Sequence, residues 1–203
     1  MDKKKGSLFI VSTPIGNLGD ITLRGIETLK AVSFIVAEDT RHSKKLLNHY
    51  NINNQLISYF EHNSLKKIPV LINYLINGKD LALISDAGTP GISDPAYKVI
   101  RKAIENNISI IPIPGPSSFL AALSSSGLPT DRFIFEGFLP PKKGRRKRLF
   151  ESENQSATLV FYESAKRLDR TVNDMLNVFG DRPAVVCREI TKMFEEFIRK
   201  NID

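Results

Sequence analysis

The chain is poor in the residues and runs that mark several large protein classes. Its 203 residues include one cysteine, Cys187, which excludes an intrachain disulfide framework and a multi-cysteine zinc site. Cys187 lies in "AVVCRE" and reads as a buried strand residue, not a nucleophile. The three histidines, His42, His49 and His62, share no metal-ligand spacing, so they read as solvated and no metal is expected. No apolar run approaches the roughly 20 residues of a membrane span. "SLFIVSTP" is too short, and too soon broken by Thr13 and Pro14, for a signal peptide. A cytoplasmic location is the expectation. The G-x-G-x-x-G of dinucleotide sites and the G-x-x-x-x-G-K-S/T of P-loops are both missing. So is the G-x-S-x-G elbow of α/β-hydrolases. Acid is also in deficit, 22 Asp and Glu against 29 Lys and Arg, and the net charge of +7 suits a polyanionic partner.

What is present is an alternation of short apolar runs with helical patterns. "SLFIVST" (7–13), "FIVAE" (34–38), "QLISY" (55–59), "DLALIS" (80–85) and "ISIIPI" (108–113) read as strands. Helices are expected over 22–33, 41–50, 64–76 and from 96 onward, with Pro69 shortening or kinking the third. Strands apolar on both faces, separated by helices, predict a largely parallel sheet covered on both sides. "PGPSSFLAALSSSGLP" (114–129) then reads as a hinge between an N-terminal α/β domain, 1–115, and a partial C-terminal one, 116–203. The second half offers "RFIFEGF" (132–138), a basic loop, "TLVFYE" (158–163), a helix near 165–178 and "PAVVCRE" (183–189). It closes on "FEEFIRKNID" with no further strand expected, so the second domain looks incomplete.

Ligands of open parallel sheets bind beyond the carboxyl ends of the strands. The unusual loops cluster there: "TPIGNLGD", "EDTRH", "SDAGTPGISD" and "PGPSS". Glycine lets a ligand approach the backbone, while Asp, Ser and Thr supply short polar groups. Together the four loops describe a cleft without the lysine of a phosphate site. Asp94, just before Pro95, reads as the cap of the following helix.

Six segments carry a resemblance: "TPIGNLGDITLRGIETLKAVSFIVAEDTRHSKKLL", "LISDAGTPGISDPAYKVI", "IPIPGPSSFLAAL", "GFLPPKKGRR", "LVFYESAKRL" and "VVCREITKMFEE", in this order. They resemble the tetrapyrrole methylase superfamily of S-adenosylmethionine-dependent (class III) methyltransferases, and within it a branch that methylates small-subunit ribosomal RNA. The resemblance spans nearly the whole chain. It implies two α/β domains with a cofactor cleft between them, a homodimer, and S-adenosylmethionine as the methyl donor. By similarity Pro14, Asp86, Gly88, Thr89, Ile92, Ser93, Ser117, Ser118 and Tyr162 would hold the cofactor.

The same resemblance implies methylation of a cytidine ribose 2′-hydroxyl in 16S rRNA of the small ribosomal subunit. A ribose hydroxyl is a weak acid, so a base or a polarising cation is expected beside it. Asp39 and Arg41 are the favoured pair, at a strand end, with Glu38 and Glu163 as further candidates; an ion pair of purely structural use fits Asp39 and Arg41 equally well. "PPKKGRRKR" places Lys142, Lys143, Arg145, Arg146, Lys147 and Arg148 within nine positions, read as an RNA-contacting loop. Two other readings stay open: the same fold acting on a tetrapyrrole or a protein, and a non-catalytic RNA-binding module.

Overall fold

Apolar runs too short for helices and apolar on both faces become the five strands of the first half. These are β1 (Ser7–Val11), β2 (Phe34–Ala37), β3 (Leu56–Ser58), β4 (Leu81–Ile84) and β5 (Ser109–Ile113). Every pairing is parallel, in the order β3-β2-β4-β1-β5. The computed structural model describes residues 4–203, and the chain divides into two units, Met1–Ser117 and Ser118–Asp203.

In the first unit the helices α1 (Leu23–Ala31), α2 (Thr40–His49), α3 (Ser64–Ile76) and α4 (Ala96–Glu105) connect the strands. Alternation along each strand sends side chains to two separate cores. Leu8, Ile10, Leu81 and Leu83 pack with Leu71, Leu75, Val99 and Ala103 of α3 and α4. Val11, Ile35, Ala82 and Ile84 pack on the other face with Leu29, Leu46 and Leu47 of α1 and α2. Each fully buried leucine or isoleucine contributes about 1.5–3 kcal/mol, which is why a parallel sheet must be covered on both sides.

The helix starts follow from capping. The Thr22 hydroxyl accepts from the Gly25 amide at 3.0 Å, and Asp39 accepts from the Arg41 amide at 2.8 Å. Asp94 does not occupy the N-cap of α4, which is Pro95; it sits one residue earlier and accepts from the Ala96 and Gly91 amides at 2.8 and 2.9 Å. Pro69 does not shorten α3, which runs its full 13 residues. The bond it removes is to the carbonyl of Leu65, and both residues are exposed, so water satisfies the freed group.

The second unit contains α5 (Ser118–Ser126), β6 (Phe133–Phe138), α6 (Lys143–Glu151), β7 (Thr158–Tyr162), α7 (Leu168–Phe179), β8 (Pro183–Arg188) and β9 (Glu196–Asn201). Among the described residues β6 and β7 form a parallel pair, and β8 and β9 an antiparallel one. Leu139, Leu149, Val178 and Phe179 form its core. Cys187 is half-buried in β8, where burial pushes its thiol up.

Two expectations fail here. "FEEFIRKNID" does contain a strand: β9 pairs with β8 from Arg188–Glu196 to Pro183–Asn201. Its charged residues hide it: in β9 only Phe197 is even partly buried. The basic "loop" is a helix, α6. Arg, Lys and Leu are good helix formers once a turn has been made, and Lys142, with φ +52°, makes that turn. Leu149, fully buried, anchors the helix.

Candidate active site at the carboxyl edge of the sheet

β1 and β4 are neighbours, yet the helices that follow them lie on opposite faces: α1 with one core, α4 with the other. That divergence leaves a crevice between two adjacent carboxyl ends. Both β1 and β4 end in hydroxyl residues, Ser12 and Thr13 after one, Ser85 after the other, all buried.

Those hydroxyls stitch the loops. Thr13 and Gly88 exchange both backbone hydrogen bonds, at 2.9 and 3.0 Å. The Thr13 hydroxyl donates to the Ser85 carbonyl at 2.9 Å, and the Ser85 hydroxyl donates to the Gly88 carbonyl at 3.1 Å. Thr89 shares a hydrogen bond with the Ser12 hydroxyl at 2.9 Å and donates to the Pro116 carbonyl at 3.3 Å. The loops after β1, β4 and β5 thereby form one rigid backbone surface. Two glycines fit this surface for different reasons: Gly88 has a φ of +81°, which favours glycine, and at Gly115 a Cβ would lie 3.0 Å from the Ser12 Cβ.

Carboxylates gather beside this surface. Asp86 accepts from the Asp39 amide at 3.1 Å, joining the β4 loop to the start of α2. Glu38 and Asp94 line a small crevice with Tyr59 and Ser85. Burial, then the nearby charges of Asp86 and Asp94, push the Glu38 carboxyl above its ordinary range. Burial also raises Asp94, against the two amides it accepts from. Tyr59 donates to the Pro95 carbonyl at 3.1 Å, and burial drives its hydroxyl up to about 12.

Asp39 is different. Its carboxylate caps α2 and meets Arg41 at 3.3 Å. The hydrogen bond from Arg41 holds it below the ordinary carboxylate range. Arg41 itself is 91% exposed.

Of the residues expected to hold a cofactor, Pro14, Asp86, Gly88, Thr89, Ile92, Ser93 and Ser117 lie in the first unit. Gly88 and Thr89 belong to the stitched surface, and Pro14 directly follows Thr13. Ile92 instead lines an open, mostly apolar groove of about 630 Å³ along α4, with Tyr97, Ile100 and Ile104. Ser93 has a φ of +63°. Ser118 and Tyr162 lie in the second unit, where their hydroxyls bond to each other at 2.7 Å.

Glu163, also in the second unit, is locked. Burial alone would raise it, but hydrogen bonds from Thr171 (2.6 Å) and the Ser164 amide (2.7 Å), with Arg167, hold its carboxyl below the ordinary range. The basic residues of α6 and of its N-cap, Lys142, divide into two sets. Arg145 is buried and pairs with Asp174 at 2.6 Å; Arg148 pairs with Glu136 at 2.8 Å and with Glu151. Lys142 and Lys147 are exposed, and so is Arg146, which lies 3.6 Å from Asp174. The Lys143 side chain lies outside the described residues. Among the described residues no group of His, Cys, Asp and Glu could hold a metal ion, and no helix is long and apolar enough to cross a membrane.

The chain is 52% identical over 200 residues to "Ribosomal RNA small subunit methyltransferase I" of Halalkalibacterium halodurans, covering 98% of this chain and 69% of that protein. The proteins of the same name from Streptococcus pyogenes serotype M3 and Escherichia coli O157:H7 are 48% and 49% identical, over 99% and 96% of this chain and 71% and 68% of theirs. The family model of the Tetrapyrrole (Corrin/Porphyrin) Methylases matches residues 7–203. The chain belongs to the tetrapyrrole methylase family, and within it to the ribosomal RNA small subunit methyltransferase I family.

The fold agrees. The X-ray structure of the cobalamin biosynthetic enzyme cobalt precorrin-4 methyltransferase superposes with a TM-score of 0.71 at 16% identity, over 97% of this chain and 85% of that one. For this methylase, sequence reasoning missed Ser12, Thr13 and Ser85, whose buried hydroxyls build the loop surface. The signal was present: hydroxyl residues directly at the ends of fully apolar strands cannot be core unless they bond to something.

Proposed function

We propose that this member of the tetrapyrrole methylase family transfers a methyl group from S-adenosylmethionine to the 2′-hydroxyl of a cytidine ribose in 16S rRNA. The observation that carries the reading is the identity of 48–52% to relatives named as small-subunit rRNA methyltransferases, over nearly the whole chain. The site chemistry fits the donor. A cationic sulfonium and an ammonium suit the carboxylates Asp86 and Glu38. Ribose hydroxyls and adenine suit backbone groups, short hydroxyls and an apolar wall such as Pro14 and Ile15. When bound, the donor supplies an electrophilic methyl group.

The chain's own residues then have three tasks. The Thr13–Gly88 and Thr89–Pro116 bonds keep the loop backbone in place before any ligand arrives, so little ordering is left for binding to impose. Glu38 accepts the proton of the attacking hydroxyl: its raised carboxyl is the stronger base of the Glu38–Asp39 pair, whereas Asp39 is weakened by Arg41. Asp39 and Arg41 position the start of α2. The exposed basic residues of α6 contact phosphates.

Methyl transfer from labelled S-adenosylmethionine to small ribosomal subunits, with a porphyrinogen as control acceptor and the labelled ribose mapped, tests the acceptor. Label on the porphyrinogen alone, or on a base, overturns it. Replacing Lys142, Arg146 and Lys147 together by serine is expected to lower rRNA affinity at least tenfold. The slope of log affinity against log salt should shrink by about 0.7–0.9 for each phosphate that the variant leaves unneutralised. Calorimetry should find affinity for S-adenosylmethionine unchanged. An unaltered salt slope in this variant would remove α6 from the RNA interface.

A further inference from the structure

β6 contains a bulge. Phe135 pairs with Val160 but Gly137 pairs with Phe161, so Glu136 is one residue too many for the partner strand. In an unbroken strand Phe135 and Phe138, three apart, would point to opposite faces. The extra residue brings them to the same one, where both rings contact Tyr162, at centroid distances of 5.0 and 5.3 Å. Phe119 extends the row, stacked 4.7 Å from Phe135. The row ends at the carboxyl end of β6 in a ring that is 60% exposed, that of Phe138.

The ring is exposed, but its mounting is fixed. Leu139, the next residue, is buried in the core, and its carbonyl accepts from Arg167 at 2.7 Å. Tyr162, on which Phe138 leans, is bonded to Ser118. Glu136 is itself put to use: its carboxylate, 7% exposed, holds Arg148 and accepts from the Ser152 hydroxyl at 2.9 Å, docking α6. One bulge therefore both aims Phe138 outward and fastens the basic helix that begins five residues later.

We propose that Phe138 is a stacking residue for an unpaired base of the RNA substrate, with α6 holding the adjoining phosphates. Single-stranded RNA is recognised by this combination of an aromatic face and nearby cations. The exposed Lys142, Arg146 and Lys147 favour a polyanion's base over the adenine of a donor whose reacting centre is cationic. The inference rests on the rRNA reading above and adds to it the residue that receives a base.

The test is the affinity of the chain for a fluorescently labelled single-stranded oligoribonucleotide and for an abasic oligonucleotide of equal length, by anisotropy. Phe138→Ala is expected to weaken binding of the base-bearing strand about ten- to a hundredfold and to leave the abasic strand unaffected. Phe138→Trp should restore it, and matching thermal unfolding curves would exclude a folding defect. Equal affinity of wild type and Phe138→Ala for the base-bearing strand, or no binding by wild type, overturns the proposal. So does a weakening confined to S-adenosylmethionine in calorimetry, which would give the ring to the donor's adenine. Methylation of small subunits by wild type is scored separately. If it is absent while the stacking signature is present, the rRNA methylation reading fails and the stacking site stands; the reverse pattern removes only Phe138.

Discussion

Asp174→Ala is expected to destabilise the second unit by about 3–5 kcal/mol. Its carboxylate is the partner of Arg145, and the two side chains are 17% and 10% exposed, so removing the acid leaves a guanidinium out of water with nothing opposite. Arg146, 3.6 Å from the same carboxylate, adds to the positive charge left behind. At roughly 4 °C or more per kcal/mol for a unit of this size, the thermal midpoint should fall by at least about 10 °C. Urea unfolding followed by far-UV circular dichroism gives the same comparison. A double variant, Arg145→Met with Asp174→Leu, replaces both charges by apolar groups and should recover most of the loss, because a buried pair is costly to break but cheap to replace. A loss below about 1 kcal/mol for Asp174→Ala would mean that Arg145 reaches solvent by another rotamer.

Gly6→Ala is expected to cost the first unit on the order of 3 kcal/mol or more. A Cβ at Gly6 would lie 2.2 Å from the Lys79 carbonyl oxygen and 2.4 Å from its carbon, both backbone atoms that no rotamer change can move. The strand cannot retreat either. The Gly6 amide donates to the Leu75 carbonyl at 2.8 Å, and the Ser7 amide to Asp80 at 2.7 Å. Since Gly6 leads directly into β1, the displacement would reach Ser12 and Thr13 and weaken the stitched loop surface as well. Gly127→Ala is the contrast. Its φ of +82° is strained for alanine, but no atom lies within 4 Å of the added carbon, so about 1 kcal/mol is expected. Equal midpoints for the two variants in guanidinium unfolding would refute the steric account.

The first unit is legible in its sequence because each strand pairs two apolar faces with a helix of clear period, and the caps Thr22 and Asp39 mark where α1 and α2 start. The second unit is less so. "PPKKGRRKR" reads as an RNA-contacting loop because charge is read as exposure. Yet Arg145 is buried, and its partner there is Asp174, 29 residues away. β9 escapes for a similar reason, since its pairing with β8 is written in backbone bonds, not in side-chain alternation. The candidate site was legible as a set of loops, but its rigidity was not. Nothing local in "VSTP" or "SDAGTP" says that Thr13 and Gly88 exchange backbone bonds, because only the parallel register of β1 on β4 brings them opposite each other.

The hydrogen bond from the Asp39 amide to Asp86 ties two loops that the sequence keeps 47 residues apart. Asp39 is also the cap of α2, and α2 presents Arg41, Lys44 and Lys45 to solvent. The acidic loop after β4 and this basic helix therefore form a single mechanical part. The residue that caps α2 is thus itself held by the β4 loop, so the start of the helix depends on a carboxylate it does not contain.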